Sequence, residues 1–312
     1  MKKTIALLSG GISSEREVSL KSGQQVLESL DSEKYTVRRY DPRTDLPQLV
    51  ADAPQLDAAL ILLHGPYGED GTIQGLLELL NIPYQGAGVL GSALAMNKLA
   101  TKQLYEKWGI PTPPYLAVRR PDPVRPDQWV SDLGLPLVVK PASGGSSIGM
   151  TIVRTADQLA PAMDKAFAQD HTVLVEKYIQ GLEITGGVLG NENPDALPLI
   201  EIIPDSRYEF FDYEAKYTAG MTREICPARI SPALTAKAQA YAREAHQALF
   251  CKGYSRTDMI LDGEAIFVLE TNTIPGMTPT SLFPQAARAA GISFADLLDR
   301  LIELGIQAHR SR

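Results

Sequence analysis

The sequence predicts an α/β protein, because strand-like and helix-like stretches alternate along it and its two early strands, at 4–8 and 58–63, both run into glycine-bearing turns. Open parallel sheets collect ligands at such carboxyl ends. The first strand stops at Gly10-Gly11, and a helical pattern follows over 15–30 with Val18, Val26, Leu27 and Leu30 on one side. The second stops at His64-Gly65 and belongs to the same N-terminal unit, residues 1–97. Six prolines between Pro111 and Pro126 rule out continuous helix and predict an extended connection. Strands resume at 135–139, ending in Lys140-Pro141, and at 172–175, ending in Glu176-Lys177. A helix over 232–250 precedes two strands, 258–261 and 265–269, that flank the hairpin signal Asp262-Gly263. An amphipathic helix over 293–304, with Ser293 as N-cap, closes the chain.

Composition narrows the function. A chain of 312 residues is long enough for about two domains of ~150 residues each. With 30 Lys+Arg against 37 Asp+Glu, its net charge of −7 excludes a protein built to hold nucleic-acid phosphates along its surface. Any anionic ligand must be held by a local site. No apolar run approaches the ~18 residues of a membrane span, so no membrane partner is expected. The N-terminus only mimics a signal peptide, its apolar stretch falling short of the ~7 residues expected. Cys226 and Cys251 are too few for a disulfide framework or a zinc site and read as buried thiols of a cytoplasmic protein.

Four segments carry chemistry. Lys140 ends a strand and is followed by Ala142-Ser143-Gly144-Gly145-Ser146-Ser147-Ile148-Gly149, small residues whose backbone N–H groups can close on phosphate oxygens. A glycine–serine loop alone is more often a surface turn, and what lies downstream reverses that balance. Asp258, Glu270 and Asn272 are hard oxygen donors on adjacent strands, suited to Mg²⁺ beside nucleotide phosphates. A two-residue Asp262-Gly263 loop would place Asp258 opposite Glu270 in facing, so a three-residue, bulged turn is predicted there. The loop 273–282 is rigid and could hold a carboxylate or an oxyanion with its backbone donors. Upstream, 208–217 packs five aromatics around one lysine, Lys216, and fits a flap that excludes water as well as it fits a core element.

Taken together these residues are recognisable. With Ser9-Gly10-Gly11-Ile12-Ser13-Ser14-Glu15, His64-Gly65-Pro66-Tyr67-Gly68-Glu69-Asp70-Gly71, Tyr213-Glu214-Ala215-Lys216-Tyr217, Arg256-Thr257-Asp258 and Glu270-Thr271-Asn272-Thr273, the chain resembles the D-alanine–D-alanine ligases of the ATP-grasp superfamily over almost its whole length. The resemblance implies a Rossmann-like (pre-ATP-grasp) domain at 1–97, a small ATP-grasp lobe at 98–185 and a C-terminal lobe at 186–312 with its flap at about 205–222. It implies ATP and two Mg²⁺ (or Mn²⁺) as cofactors, D-alanine as substrate, peptidoglycan precursor synthesis, a homodimer and a cytoplasmic location.

Site residues follow from the same likeness. Glu15 matches the group on the first D-alanine's ammonium, with His64 near that pocket. Lys98, Lys140, Ser147 and Lys216 match phosphate contacts. Glu176, Lys177, Tyr178 and Ile179 match the adenine hinge, and Glu183 the ribose acceptor. Arg256 and the Gly276 amide would stabilise a tetrahedral oxyanion, Ser281 and Leu282 would meet the second carboxylate, and Asp258, Glu270 and Asn272 would bind metal. Glu15, Ser146 and Tyr217 match a hydrogen-bonded network, and the tyrosine favours an amine over a hydroxyl nucleophile. Two departures stand out: Asn97 where many relatives have aspartate, and Gly186-Gly187 in a strand expected to be apolar. A nicotinamide oxidoreductase is excluded because Gly10-Gly11 lacks the remaining glycine of the dinucleotide pattern. An inactive nucleotide-binding protein fits poorly with so complete a set.

Overall fold

The computed structural model describes residues 2–123, 125–145, 147–204 and 222–311. Ser146, Lys216, Tyr217 and the flap residues 205–221 lie outside the described residues.

The N-terminal domain is a parallel sheet of order β2-β1-β3, with β1 at Lys3–Leu8, β2 at Tyr35–Tyr40 and β3 at Ala58–Ile61. Ile5 to Leu8 and all of β3 are buried, the continuous apolar run of strands covered on both faces. Helices α1 (Arg16–Ser29), α2 (Leu46–Asp52) and α3 (Thr72–Leu79) flank it, followed by α4 (Val89–Met96) and α5 (Lys98–Trp108). Asn97 is the N-cap of α5: its side-chain oxygen accepts from the Ala100 N–H at 3.0 Å. An aspartate would accept the same bond, so the departure leaves the helix start intact.

The small lobe is an antiparallel sheet of order β4-β7-β5-β6. Its strands are β4 (Tyr115–Arg119), β5 (Leu137–Pro141), β6 (Thr151–Val153) and β7 (Thr172–Lys177), backed by α6 (Pro126–Leu133) and α7 (Leu159–Phe167). The proline-rich stretch predicted as a plain connection thus contains an edge strand, β4, between its prolines.

The large lobe is a second antiparallel sheet, order β11-β10-β8-β12-β13 with β9 on β8. It comprises β8 (Leu182–Leu189), β9 (Asp195–Ala196), β10 (Ile200–Pro204), β11 (Thr222–Ile225), β12 (Tyr254–Asp262) and β13 (Ala265–Asn272). Helices α8 (Pro232–Ala248) and α9 (Leu282–Ala289) cover it, and α10 (Phe294–Arg310) packs against α9 and against β3 and α1 of the N-terminal domain. Ser293 caps α10 as expected, but the helix runs on past 304 to Arg310. Gly186 and Gly187 have a packing reason. A Cβ on Gly186 would lie 3.1 Å from Ala242 and Leu199, and one on Gly187 would lie 3.1 Å from Leu197 and Phe283. The two glycines therefore let helices approach both faces of β8.

Several sequence expectations are corrected. The hairpin joining β12 and β13 has a two-residue Gly263-Glu264 turn, since Asp262 pairs with Ala265, and not the three-residue turn predicted. The extra residue is Leu269, a bulge between the Met259–Val268 and Asp258–Glu270 pairs. It restores the parity the turn does not, so Asp258 and Glu270 share a face after all. The expected lobe boundary at 185/186 cuts through β8, which belongs whole to the large sheet. Helix α5 also packs with that lobe: Tyr105 lies in a core with Ile184, Val188 and Met259, and its hydroxyl bonds Thr271 at 2.7 Å. Cys251 is buried, whereas Cys226 is only partly so. No helix among the described residues is long and apolar enough to cross a membrane.

Candidate active site

Where the three units meet lies a cavity of about 690 Å³. Glu15, which precedes α1, and His64, which follows β3, enter it from the carboxyl edge of the parallel sheet. Lys98 comes from the start of α5, Gly144 and Gly145 from the small lobe, and Arg256, Glu270 and Asn272 from β12 and β13. Gly276, Ser281 and Leu282 close it at the head of α9. Nine of the expected site residues are thereby brought together, as the sheet registers require: Arg256 pairs with Asn272 and Asp258 with Glu270, so all four point to one face.

Electrostatics organise this space. Arg256 grips Asp258 with two bonds of 2.9 Å, from Nε to Oδ1 and from a terminal nitrogen to Oδ2. Thr185 donates to Oδ1 at 2.6 Å and Asn272 donates its amide to Oδ2 at 3.1 Å. Lys98 donates to the Gly144 carbonyl at 2.5 Å and lies 3.9 Å from Glu270, tying the glycine–serine loop to the large sheet. Glu15 is buried, its Oε2 close to both Gly65 and Gly145. Burial holds the His64 imidazole below its usual range, against the pull of Glu15, and its Nε2 has no hydrogen-bond partner among the described residues. Ser281 accepts from the Thr278 N–H at 3.1 Å and bonds the Thr278 hydroxyl at 2.7 Å, which shapes the turn that carries Gly276 and Leu282.

The remaining expected residues form a second group outside that cavity. Lys140 ends β5 and contacts Glu176 on β7 at 2.9 Å. Lys177 is exposed, Tyr178 and Glu183 are half-buried and Ile179 is buried, spaced along the passage from β7 into β8. Ser147 sits at positive φ, +58°, in the loop after β5. Asp258 is set back beneath Arg256. Among the described residues no three His, Cys, Asp or Glu side chains cluster as a metal site. Two carboxylates and an amide oxygen on one sheet face nevertheless fit a hard divalent cation shared with a phosphate.

Three groups escaped the sequence reading. Glu69 lines the cavity and accepts from the Gly65 N–H at 2.6 Å, and burial pushes its carboxyl up to about 8. Glu224 also lines the cavity, held by the Gln285 amide, and burial raises it as well. Lys102 is fully buried beside Glu176. Glu69 stands in the His64–Gly71 motif, which gave it no role, and Lys102 follows Lys98 by four residues, on the helix face that carries Tyr105.

A parallel α/β domain ahead of two antiparallel lobes, with a cleft of lysines and carboxylates between them, is the ATP-grasp architecture. The family described as D-ala D-ala ligase C-terminus matches residues 104–303, and that described as D-ala D-ala ligase N-terminus matches residues 38–87. The D-alanine–D-alanine ligase of Syntrophobacter fumaroxidans is 65% identical over 306 residues, covering 98% of both chains. That of Desulfotalea psychrophila is 52% identical, covering 99% of this chain and 96% of its own. Among solved structures, the Bacillus anthracis D-alanine–D-alanine ligase complexed with ATP superposes with a TM-score of 0.87 at 36% identity over 99% of each chain. The chain belongs to the D-alanine–D-alanine ligase family.

Proposed function

We propose that this protein joins two D-alanines into D-alanyl-D-alanine for peptidoglycan precursor synthesis, with ATP converted to ADP and phosphate. The observation that carries the proposal is the single cavity in which Glu15 and His64 of the N-terminal domain face Arg256, Gly276 and Ser281 of the large lobe. Family membership at 65% identity supports the reaction and its substrates.

The chemistry follows from the reactants. A carboxylate is a poor electrophile, so the first D-alanine is phosphorylated, and the amine of the second then attacks the acyl phosphate through a tetrahedral oxyanion. Glu15 holds the first ammonium, with His64 beside it. Arg256 and the Gly276 N–H are donors for the oxyanion, and Ser281 and Leu282 receive the second carboxylate at the head of α9, where backbone N–H groups are unspent. Lys98 and Lys140 hold the phosphates with Ser147, Glu176 to Ile179 hold adenine, and Glu183 the ribose. Asp258, Glu270 and Asn272 would hold Mg²⁺ or Mn²⁺, which when bound neutralises phosphate charge. Ser146, Lys216 and Tyr217 complete the site on the strength of the family likeness. A cytoplasmic homodimer is the expected state.

The test is phosphate release from ATP and Mg²⁺ in the presence of single amino acids, with the dipeptide identified directly. Release with D-alanine well above that with L-alanine is expected; equal rates would refute the assignment.

A further inference from the structure

Lys102 Nζ lies 3.3 Å from Glu176 Oε1, donates to Thr112 Oγ1 at 2.7 Å and to the Pro113 carbonyl at 3.3 Å, and stands 5.1 Å from the centre of the Tyr115 ring. Lys140 reaches the same oxygen, Oε1, at 2.9 Å. The sheet register explains the meeting: Val138 pairs with Glu176, so Lys140, two residues on, shares its face. Glu176 Oε2 takes no bond from any described residue. The two lysines thus meet one oxygen of a buried carboxylate as ion pairs, without a hydrogen bond to it among the described residues, and leave the other as an acceptor.

The charges do not balance. Two ammoniums share one buried carboxylate where burial of a lone charge is costly, and the only further acidic pull on Lys102 among the described residues comes from Glu106, one helical turn on. Lys102 has no other destination, being enclosed by Thr112, Pro113 and Tyr115. Lys140 is slightly exposed and is the member that an anionic ligand can draw away. Burial brings Lys102 down to about 8, against the pull of Glu176.

We infer that Lys102 is a positioning residue for nucleobase selection: it holds Glu176 Oε1 turned inward when Lys140 goes to the phosphates, so that Oε2 faces the base. This rests on the placement of Glu176 at adenine proposed above. An ionised carboxylate only accepts hydrogen bonds, so Oε2 receives the 6-amino group of adenine and repels the 6-oxo group of guanine. Without Lys102, no described lysine holds Oε1 once Lys140 leaves, so the carboxylate can turn from the base and the discrimination against the guanine oxygen is lost.

The experiment is equilibrium binding of ATP and GTP to the full chain as wild type, K102M, E176Q and K102M/E176Q. A preference of wild type for ATP is expected to fall by about tenfold or more in K102M and in E176Q, the loss expected when a polar discriminator is disabled. K102M should change nothing further in the E176Q background. A wild-type ATP:GTP ratio in K102M overturns the inference, as does a double variant whose ratio differs from that of E176Q. Should K102M fail to fold, the same ATP:GTP ratio is read in K102Q, with the same two outcomes. Phosphate release with D-alanine is measured alongside. Lys102-dependent base preference without dipeptide formation would support this inference and overturn the ligase assignment, whereas dipeptide formation with an unchanged ratio in E176Q would overturn the inference alone.

Discussion

Arg256 shows how much one side chain is asked to do. Its guanidinium is bonded twice to Asp258 and also faces the cavity where the oxyanion would form, so its removal deletes a donor and breaks a bidentate ion pair. Arg256→Ala is expected to lower kcat by ~10²-fold or more, the scale for one lost oxyanion donor, and near-normal turnover would remove it from the mechanism. Glu69 sets a different test. Its carboxyl titrates near 8 in the fold and near 4.5 when unfolded, so its contribution to stability is fully present below the unfolded value and is lost as pH rises through about 8. Glu69→Gln removes that slope: its melting temperature should gain on wild type from about pH 5 to about pH 8 and level off above, and parallel curves would show that Glu69 does not titrate in this window. Both residues stand in recognisable motifs, but only Arg256 was legible as a site residue. The perturbation of Glu69 is produced by burial, which the motif does not encode.

Elements were legible wherever their signal is local. Ser293 announced α10, and Asn97 does for α5 what an aspartate would do. The hairpin was not local: Asp262-Gly263 marked its place, while the residue that aligns Asp258 with Glu270 is a bulge at Leu269, seven positions past the start of the signal. Register of this kind is chosen by what the two faces must bury, with Thr257 and Thr271 bonded at 2.9 Å on one side and the polar quartet on the other. Gly187 is likewise explained only by its neighbours. Gly187→Ala should destabilise the fold by about 1–3 kcal/mol, because the added methyl overpacks against Leu197 and Phe283. Denaturant titration measures this, and an unchanged midpoint would mean that α9 can withdraw from β8 at no cost.

At the scale of the molecule, the cores say which parts move together. One core runs from Ile5, Leu7 and Leu60 of the parallel sheet through Ile200 and Ile202 to Phe283 and Leu301, joining the N-terminal domain to the large lobe. The small lobe has its own, built from Val118, Trp129, Leu137, Val139, Met163 and Val175. A lobe with a separate core can loosen separately, and here it would carry Lys140 and the glycine–serine loop away from the cavity. The chain has two tryptophans: Trp129 is buried in the small-lobe core, and Trp108 is half exposed on α5. In a Trp108→Phe variant, fluorescence therefore reports the small lobe alone. Its urea transition should precede loss of the far-ultraviolet dichroism that reports the whole chain. Nucleotide bound between the lobes should close that gap, since a ligand at 100 times its Kd adds about 2.7 kcal/mol to whatever state binds it. Coincident transitions without nucleotide would mean that Lys98, through Gly144 and Glu270, already binds the small lobe to the rest as firmly as its own core holds it together.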